Sequence, residues 1–306
     1  MKFGAFFLTY NRPEILTHTL EIMLQQTCIP DFILVVDNGN SAETKSIIEN
    51  RFSSSTIVGY EATSGNLGSA GGTAYGFRRL YALGFDLIYC GDDDDPPKTP
   101  DTIARLMSII AMKGEPGGVG AVGAKWNWHK GELIRLSDEQ LKDTVEVDMI
   151  GGGQQLILHR EIISAVGVPN DDFFFGYPDL EYSLRIRRAG YPLWIDGDLM
   201  HEYRAQTGRL NLKRRRSIMP HRAHNNIWRN YYTTRNYIYM MQYVFGRPDL
   251  ARKGTYKSLF QMLTAWGRGP KYATEFSSLQ LRGIIDGYRG RLGRNVTPRP
   301  KYATAR

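Results

Sequence analysis

The sequence predicts an α/β fold in which a mostly parallel sheet is flanked by helices, and three observations lead to it. Through the first half, short apolar runs alternate with segments of helical periodicity, the order expected of strands joined by crossover helices. Polar and acidic clusters such as Asp37-Asn38-Gly39 and Asp92-Asp93-Asp94-Asp95 close apolar runs, as at strand ends. A chain of 306 residues with 42% hydrophobic content can bury a substantial core.

Taken in order, strands are expected at about 2–9, 32–37, 56–60, 85–90 and 119–126, with helices between them at about 13–26, 42–51, 70–83 and 100–112. In the first helix Pro13 suits the opening turn, and Leu16, Leu20 and Met23 repeat along one face. A helix at 179–188 and a strand at 192–199 follow. The tail changes character. Aromatic and aliphatic residues recur at helical spacing with interleaved arginines over 218–243, 256–266 and 279–289, bounded by Gly246-Arg247-Pro248 and Gly267-Arg268-Gly269-Pro270. The expected organisation is an α/β domain over 1–210, itself in halves at 1–118 and 119–210, and a basic amphipathic helical region over 211–306.

Charge divides the chain in the same place. Residues 1–200 carry 17 Lys and Arg against 27 Asp and Glu, whereas residues 201–306 carry 22 against 4. The basic part, including Lys213-Arg214-Arg215-Arg216, calls for an anionic partner, either a membrane surface or nucleic acid. No recognition motif for nucleic acid accompanies the charge, which makes an anionic leaflet the better match. The start of the chain lacks a basic-then-apolar leader and no stretch approaches a membrane span, so a cytoplasmic protein is expected, peripheral at the inner face of the cell membrane. Cys28 and Cys90 sit in apolar surroundings without metal-like spacing and read as buried free thiols.

The acidic run is the strongest chemical signal. Four adjacent carboxylates repel one another, and a hard divalent cation such as Mg2+ or Mn2+, held with a substrate diphosphate, relieves that repulsion most directly. In an open α/β sheet the ligand lies beyond the carboxyl ends of the strands. Thr9-Tyr10-Asn11-Arg12, Asp37-Asn38-Gly39 and the acidic run all fall at that edge. The glycines of Gly65-Asn66-Leu67-Gly68-Ser69-Ala70-Gly71-Gly72 permit tight turns and close approach at a helix start, but their spacing is neither a Rossmann fingerprint nor a P-loop.

These blocks, in this order, resemble the nucleotide-sugar half of a family 2 glycosyltransferase with the GT-A fold. Phe173-Phe174-Phe175-Gly176-Tyr177-Pro178-Asp179-Leu180-Glu181, followed by Arg188-Ala189-Gly190-Tyr191 and His201-Glu202, resembles its acceptor half. The rhamnosyl- and galactofuranosyltransferases are the most similar branch, through Asn-Leu-Gly-Ser-Ala-Gly-Gly and the triple aspartate. The resemblance covers about residues 1–205. It implies an inverting transfer of a sugar from a nucleoside-diphosphate donor, UDP- or dTDP-linked, to a glycan or lipid-linked glycan in cell-surface polysaccharide synthesis.

It also implies roles. Thr9, Arg12, Asp37, Asn66, Gly68, Asp92 and Asp93 would bind the donor, with Arg12 on the base or the diphosphate. Asp94 and His201 would hold the metal. A register slipped by one, with Asp93 and Asp95 in the sugar and metal roles, stays open because Asp95 stands where the family usually has an apolar residue. Asp179, at a helix start whose positive end keeps it ionised, would be the catalytic base. Glu181 would meet the acceptor, although Pro178 replaces an acid that close relatives often carry. From their own chemistry, Trp126 and Trp128 offer flat surfaces for sugar rings, with core packing the alternative, and Gly152 and Gly153 let an acceptor approach the backbone, with a hinge the alternative. Two rivals are a sugar-phosphate nucleotidyltransferase, which usually has an early basic Gly-rich loop missing here, and a non-enzymatic membrane or nucleic-acid binder using the basic tail alone.

Overall fold

The computed structural model describes residues 1–151, 155–212 and 222–298. It divides into two compact units: Met1–Trp126 with Leu133–Asp171 and Asp179–Leu212, and Asn127–Glu132 with Asp172–Pro178 and the described part of Lys213–Arg306.

The first unit opens with β1 (Phe3–Thr9), α1 (Pro13–Leu24), β2 (Phe32–Asp37), α2 (Ala42–Arg51), β3 (Val58–Ala62), α3 (Gly68–Ala82), β4 (Leu87–Asp92) and α4 (Thr102–Lys113). Short strands follow, β5 (Gly118–Gly120), β6 (Gly123–Asn127), β7 (Glu132–Ile134), β8 (Thr144–Val147), β9 (Met149–Ile150) and β10 (Leu156–His159). Then come α5 (Arg160–Val166), α6 (Pro178–Arg188), β11 (Leu193–Asp196) and α7 (Gly197–Gln206). The main sheet has the order β3-β2-β1-β4-β10-β5-β11-β8, and a small one the order β7-β6-β9. The β1, β2, β3 and β4 strands run parallel, while β10 inserts antiparallel between β4 and β5.

Every residue of β1 is buried, as a strand covered on both faces requires. Alternation sends Phe3, Ala5 and Phe7 into one apolar layer with Leu16, Leu20 and Met23 of α1. Phe6 and Leu8 enter the other, with Phe77 and Leu80 of α3. The α3 helix lies so close to β1 that a Cβ on Gly72 would strike Leu8 and one on Gly76 would strike Phe6. Gly72 thus serves helix-on-sheet packing, the close approach its lack of a side chain permits.

Two strand expectations change. The run at 119–126 is split between β5 in the main sheet and β6 in the small one. The run at 192–199 ends at Asp196, whose carboxylate caps α7 by accepting the Leu199 N–H at 2.8 Å. The two cysteines are free, Cys90 buried and Cys28 partly so.

In the second unit, α8 (Trp228–Tyr239) continues into a π-helical turn at Met240–Val244, followed by α9 (Pro248–Thr264) and α10 (Pro270–Tyr288). The last two begin earlier than the apolar spacing suggested, because Pro248 and Pro270 occupy first-turn positions where a missing N–H costs nothing. Arg235 of α8 is fully buried and donates to the carbonyls of Phe173 and Gly293. Asn236 beside it donates to Phe173, Phe175 and Gly176. Phe174 packs with Trp228, Tyr231 and Tyr232, with Phe175 against them, so the phenylalanine run is packing material. Among the described residues no helix is long and apolar enough to cross a membrane. The basic run at 213–216 lies outside the described residues.

Candidate active site

The parallel register brings the sequence-predicted residues to one edge. Thr9 closes β1 opposite Asp37 of β2, and Leu8 pairs with Asp92 of β4, so three neighbouring strands end together. Asn11 takes a left-handed conformation at φ 52°, which asparagine tolerates better than most residues. The chain turns there, and Arg12 forks to Asp93 and Asp94. Thr9 Oγ1 donates to Asp93 Oδ2 at 2.6 Å, and Thr19 Oγ1 holds the Asp93 carbonyl at 2.6 Å. Asp93 is fully buried with both oxygens engaged, an anchor for the loop.

The other carboxylates behave differently. Asp94 is half exposed. Asp95 turns aside to pair with Lys98 at 2.8 Å. Asp92 receives no hydrogen bond from the described residues. Burial above all, then repulsion from Asp179, Asp94 and Asp93, pushes its carboxyl up to about 7. Burial likewise pushes Asp93 up to about 6 against the pull of Thr9 and Arg12. The first turn of α6 therefore puts Asp179 within electrostatic reach of Asp92.

The donor set is all carboxylate oxygen, and the single guanidinium of Arg12 leaves it with excess negative charge. Both properties fit a hard divalent cation. Among the described residues no three His, Cys, Asp or Glu side chains form a group that could hold a metal ion. An ion bound by one or two carboxylates and substrate phosphates needs no such cage. His201 lies in the helix α7, past the strand end where a ligand was expected, and joins no such group.

Asp37 is fully buried and accepts from Gly39 N, Ser41 N and Tyr60 Oη, each at 2.8 Å. Burial first, and the Asp37 carboxylate second, push the Tyr60 phenol up, so it remains a donor. Asn66 Oδ1 accepts the Gly68 N–H at 2.8 Å, and Gly68 has the positive φ of 73° that begins α3. Of the acceptor candidates, Trp126 is buried in β6 and takes its backbone N–H to Asp148, while Trp128 stacks edgewise on Phe245 in the second unit. Glu181 is buried in an ion pair with Arg185 at 2.7 Å, which gives it a structural partner in place of a free hydroxyl site. Gly152 and Gly153 lie outside the described residues.

Sequence reasoning missed three contributors. Asn38 clamps the turn before α3: its amide donates to Gly68 O at 2.9 Å and its carbonyl accepts Leu67 N at 2.8 Å and Thr63 Oγ1 at 3.2 Å. Tyr203 Oη meets Lys98 N, Thr102 Oγ1 and Gln155 Oε1, and Gln155 reaches Pro96 O, so together they hold the loop after the acidic run. The Asp37-Asn38-Gly39 turn was a visible signal for Asn38; nothing flagged the other two. Asn38→Ala strands a buried N–H and C=O and is expected to cost about 2–4 kcal/mol, measured as a lowered urea midpoint with unchanged slope.

An open α/β sheet with a carboxylate cluster and an anchored loop at its strand ends is the architecture of the GT-A fold. Residues 6–146 match the model described as "Glycosyl transferase family 2". It is 27% identical over 205 residues to galactofuranosyltransferase GlfT1 of Mycolicibacterium smegmatis, spanning 61% of this chain and 66% of that relative's length. Against galactofuranosyltransferase GlfT1 of Mycobacterium tuberculosis the identity is 24% over 216 residues, 64% of this chain and 69% of the relative. Among solved structures, mannosyltransferase PcManGT from Pyrobaculum calidifontis in complex with GDP-Man and Mn2+ superposes with a TM-score of 0.50 at 14% identity, covering 95% of this chain and 86% of its own. GalNAc-T7 with UDP, GalNAc and Mn2+ gives 0.59 at 12% identity, covering 92% and 55%. At these identities the two structures establish the fold alone.

Proposed function

We propose that the protein is an inverting, metal-dependent glycosyltransferase that moves galactofuranose, or failing that rhamnose, from a UDP- or dTDP-linked donor to a lipid-linked glycan in cell-surface polysaccharide synthesis. The observation that carries this reading is the approach of Asp179 to Asp92 beside the half-exposed Asp94, at the strand ends where a GT-A donor binds. The galactofuranosyl choice follows the two relatives named above.

Asp94, with Asp92 beside it, would hold Mg2+ or Mn2+ through carboxylate oxygens. The cation supplies neutralisation of the departing nucleoside diphosphate. Thr9 and Arg12 fix the loop that presents these carboxylates, and the Asp37 turn and the Asn66–Gly68 turn border the donor site. The pairing of Asp95 with Lys98 and the anchoring of Asp93 favour the unslipped register, with Asp94 as the ligand. An acceptor hydroxyl oxygen attacks the anomeric carbon as the bond from that carbon to the diphosphate oxygen breaks; the bonding pair leaves with the diphosphate. The hydroxyl proton passes to Asp179, in the first turn of α6, which acts as base in its ionised form.

A lipid-linked acceptor accords with the basic tail and its match to an anionic leaflet, at the inner face of the cell membrane. Proton NMR of the first-formed product tests the stereochemistry: a single displacement gives the anomeric configuration opposite to the donor's. Retention would require a covalent or front-face route and would overturn the role of Asp179.

A further inference from the structure

The α9 helix is built inside out. Its buried positions are Leu250, Ala251 and Ser258, and Gly254 lies so close to Tyr237 that an added Cβ would come within 2.6 Å of the ring. The large apolar side chains point the other way. Tyr256, Leu259, Phe260 and Leu263 recur at i, i+3, i+4 and i+7, which places them on one face. All four are exposed, Tyr256 at 67% and Leu263 at 72%, and Trp266 in the short turn that follows is exposed at 58%. A helix evolved only to pack would show the reverse distribution, with small residues outward and large ones inward. Contiguous exposed apolar surface of this kind marks an interaction face.

The charges around the stripe select the partner. Arg252, Lys253, Lys257, Arg268 and Lys271 are exposed along and just beyond α9. The only acid between residues 248 and 274 is Asp249, and it pairs with Arg247 at 2.7 Å. Arg252, Lys257 and Lys271 have no ion-pair partner among the described residues. Two copies of this face brought together would oppose like charges across the contact, so a second copy of the chain is a poor occupant. An anionic lipid leaflet satisfies both features: apolar side chains enter the acyl boundary while Lys and Arg reach the headgroups.

We propose that the outward face of α9, from Tyr256 to Trp266 with its flanking lysines and arginines, is a docking surface for an anionic membrane. This rests on the reading above of a lipid-linked acceptor and specifies the element that meets the lipid. It assigns the contact to α9 and leaves the basic run at 213–216 a secondary part.

Two variants of the full chain test it: Phe260→Ser with Leu263→Ser, which removes apolar contact, and Arg252→Glu with Lys257→Glu, which reverses charge. All four positions are exposed, so folding should be retained, and an unchanged thermal midpoint checks this. Binding is measured by co-sedimentation with phosphatidylcholine vesicles with and without phosphatidylglycerol. The wild-type chain is expected to bind only the anionic vesicles and to release as salt rises, because exposed charges are screened over about 8 Å at physiological ionic strength. Each variant is expected to lose binding by about tenfold or more, since both apolar insertion and charge contribute. Slow release of nucleoside diphosphate from donor without vesicles should be the same in all three proteins, which separates failure of docking from failure of the transferase reading. Wild-type-like binding by both variants would overturn the assignment to α9, as would equal binding to neutral vesicles or none to either. Concentration-dependent self-association that the apolar variant abolishes would identify a second copy as the occupant and also overturn it.

Discussion

Asp179→Asn is expected to lower glycosyl transfer by about a hundredfold or more while leaving nucleoside diphosphate affinity near the wild-type value, because general base catalysis typically contributes that much. The substitution keeps the shape of the side chain at the start of α6 and removes only its ability to take a proton. It also relieves repulsion on Asp92, whose pKa is raised in part by Asp179, so metal and diphosphate binding should hold or tighten. Kinetics that fall in kcat with a steady donor KM are the signature of a group acting on the acceptor. Loss of donor binding in this variant would move Asp179 into the donor site and remove the proposed base.

Asp94→Ala is expected to abolish metal-dependent diphosphate binding and with it transfer, while the thermal midpoint without ligand changes little. A half-exposed carboxylate in a cluster of like charges adds little to stability, and its partner Arg12 keeps Asp93. Asp95→Ala should be far milder, because Asp95 is turned to Lys98. Titrating UDP with and without Mn2+ by calorimetry reads both variants. A larger loss in Asp95→Ala than in Asp94→Ala would show that the register is slipped by one.

Much of this arrangement was legible in the sequence because periodicity and turn chemistry agree with the final packing. Leu16, Leu20 and Met23 fall on one helical face and all are buried against β1. Thr9, Asp37 and Asp92 end apolar runs and prove to be neighbours across the sheet. What could not be read was which atom each side chain faces. Four consecutive aspartates look alike in a sequence, yet Asp93 turns inward to Thr9, Asp95 outward to Lys98, and Asp92 is buried where it feels the charge of Asp179. The strand before His201 was read too long because an apolar run continues through Leu199, whereas capping by Asp196 starts a helix at Gly197 and carries the histidine into it. Glu181 looked available because acids are common in a helix's first turn, but Arg185 one turn later takes it. The outward face of α9 was visible only as an amphipathic pattern, since periodicity identifies a face without saying which side is buried.

Release of nucleoside diphosphate from a nucleotide sugar, followed with and without divalent metal, tests the central claim most directly. Purified protein incubated with UDP-galactofuranose is expected to release UDP slowly in the presence of Mn2+ or Mg2+, faster once a glycan acceptor is supplied, and not at all in chelator. Pyrophosphate as the product would identify a nucleotidyltransferase. The absence of any metal-dependent turnover across UDP- and dTDP-linked donors would contradict the metal-dependent transfer proposed for Asp94 and Asp179.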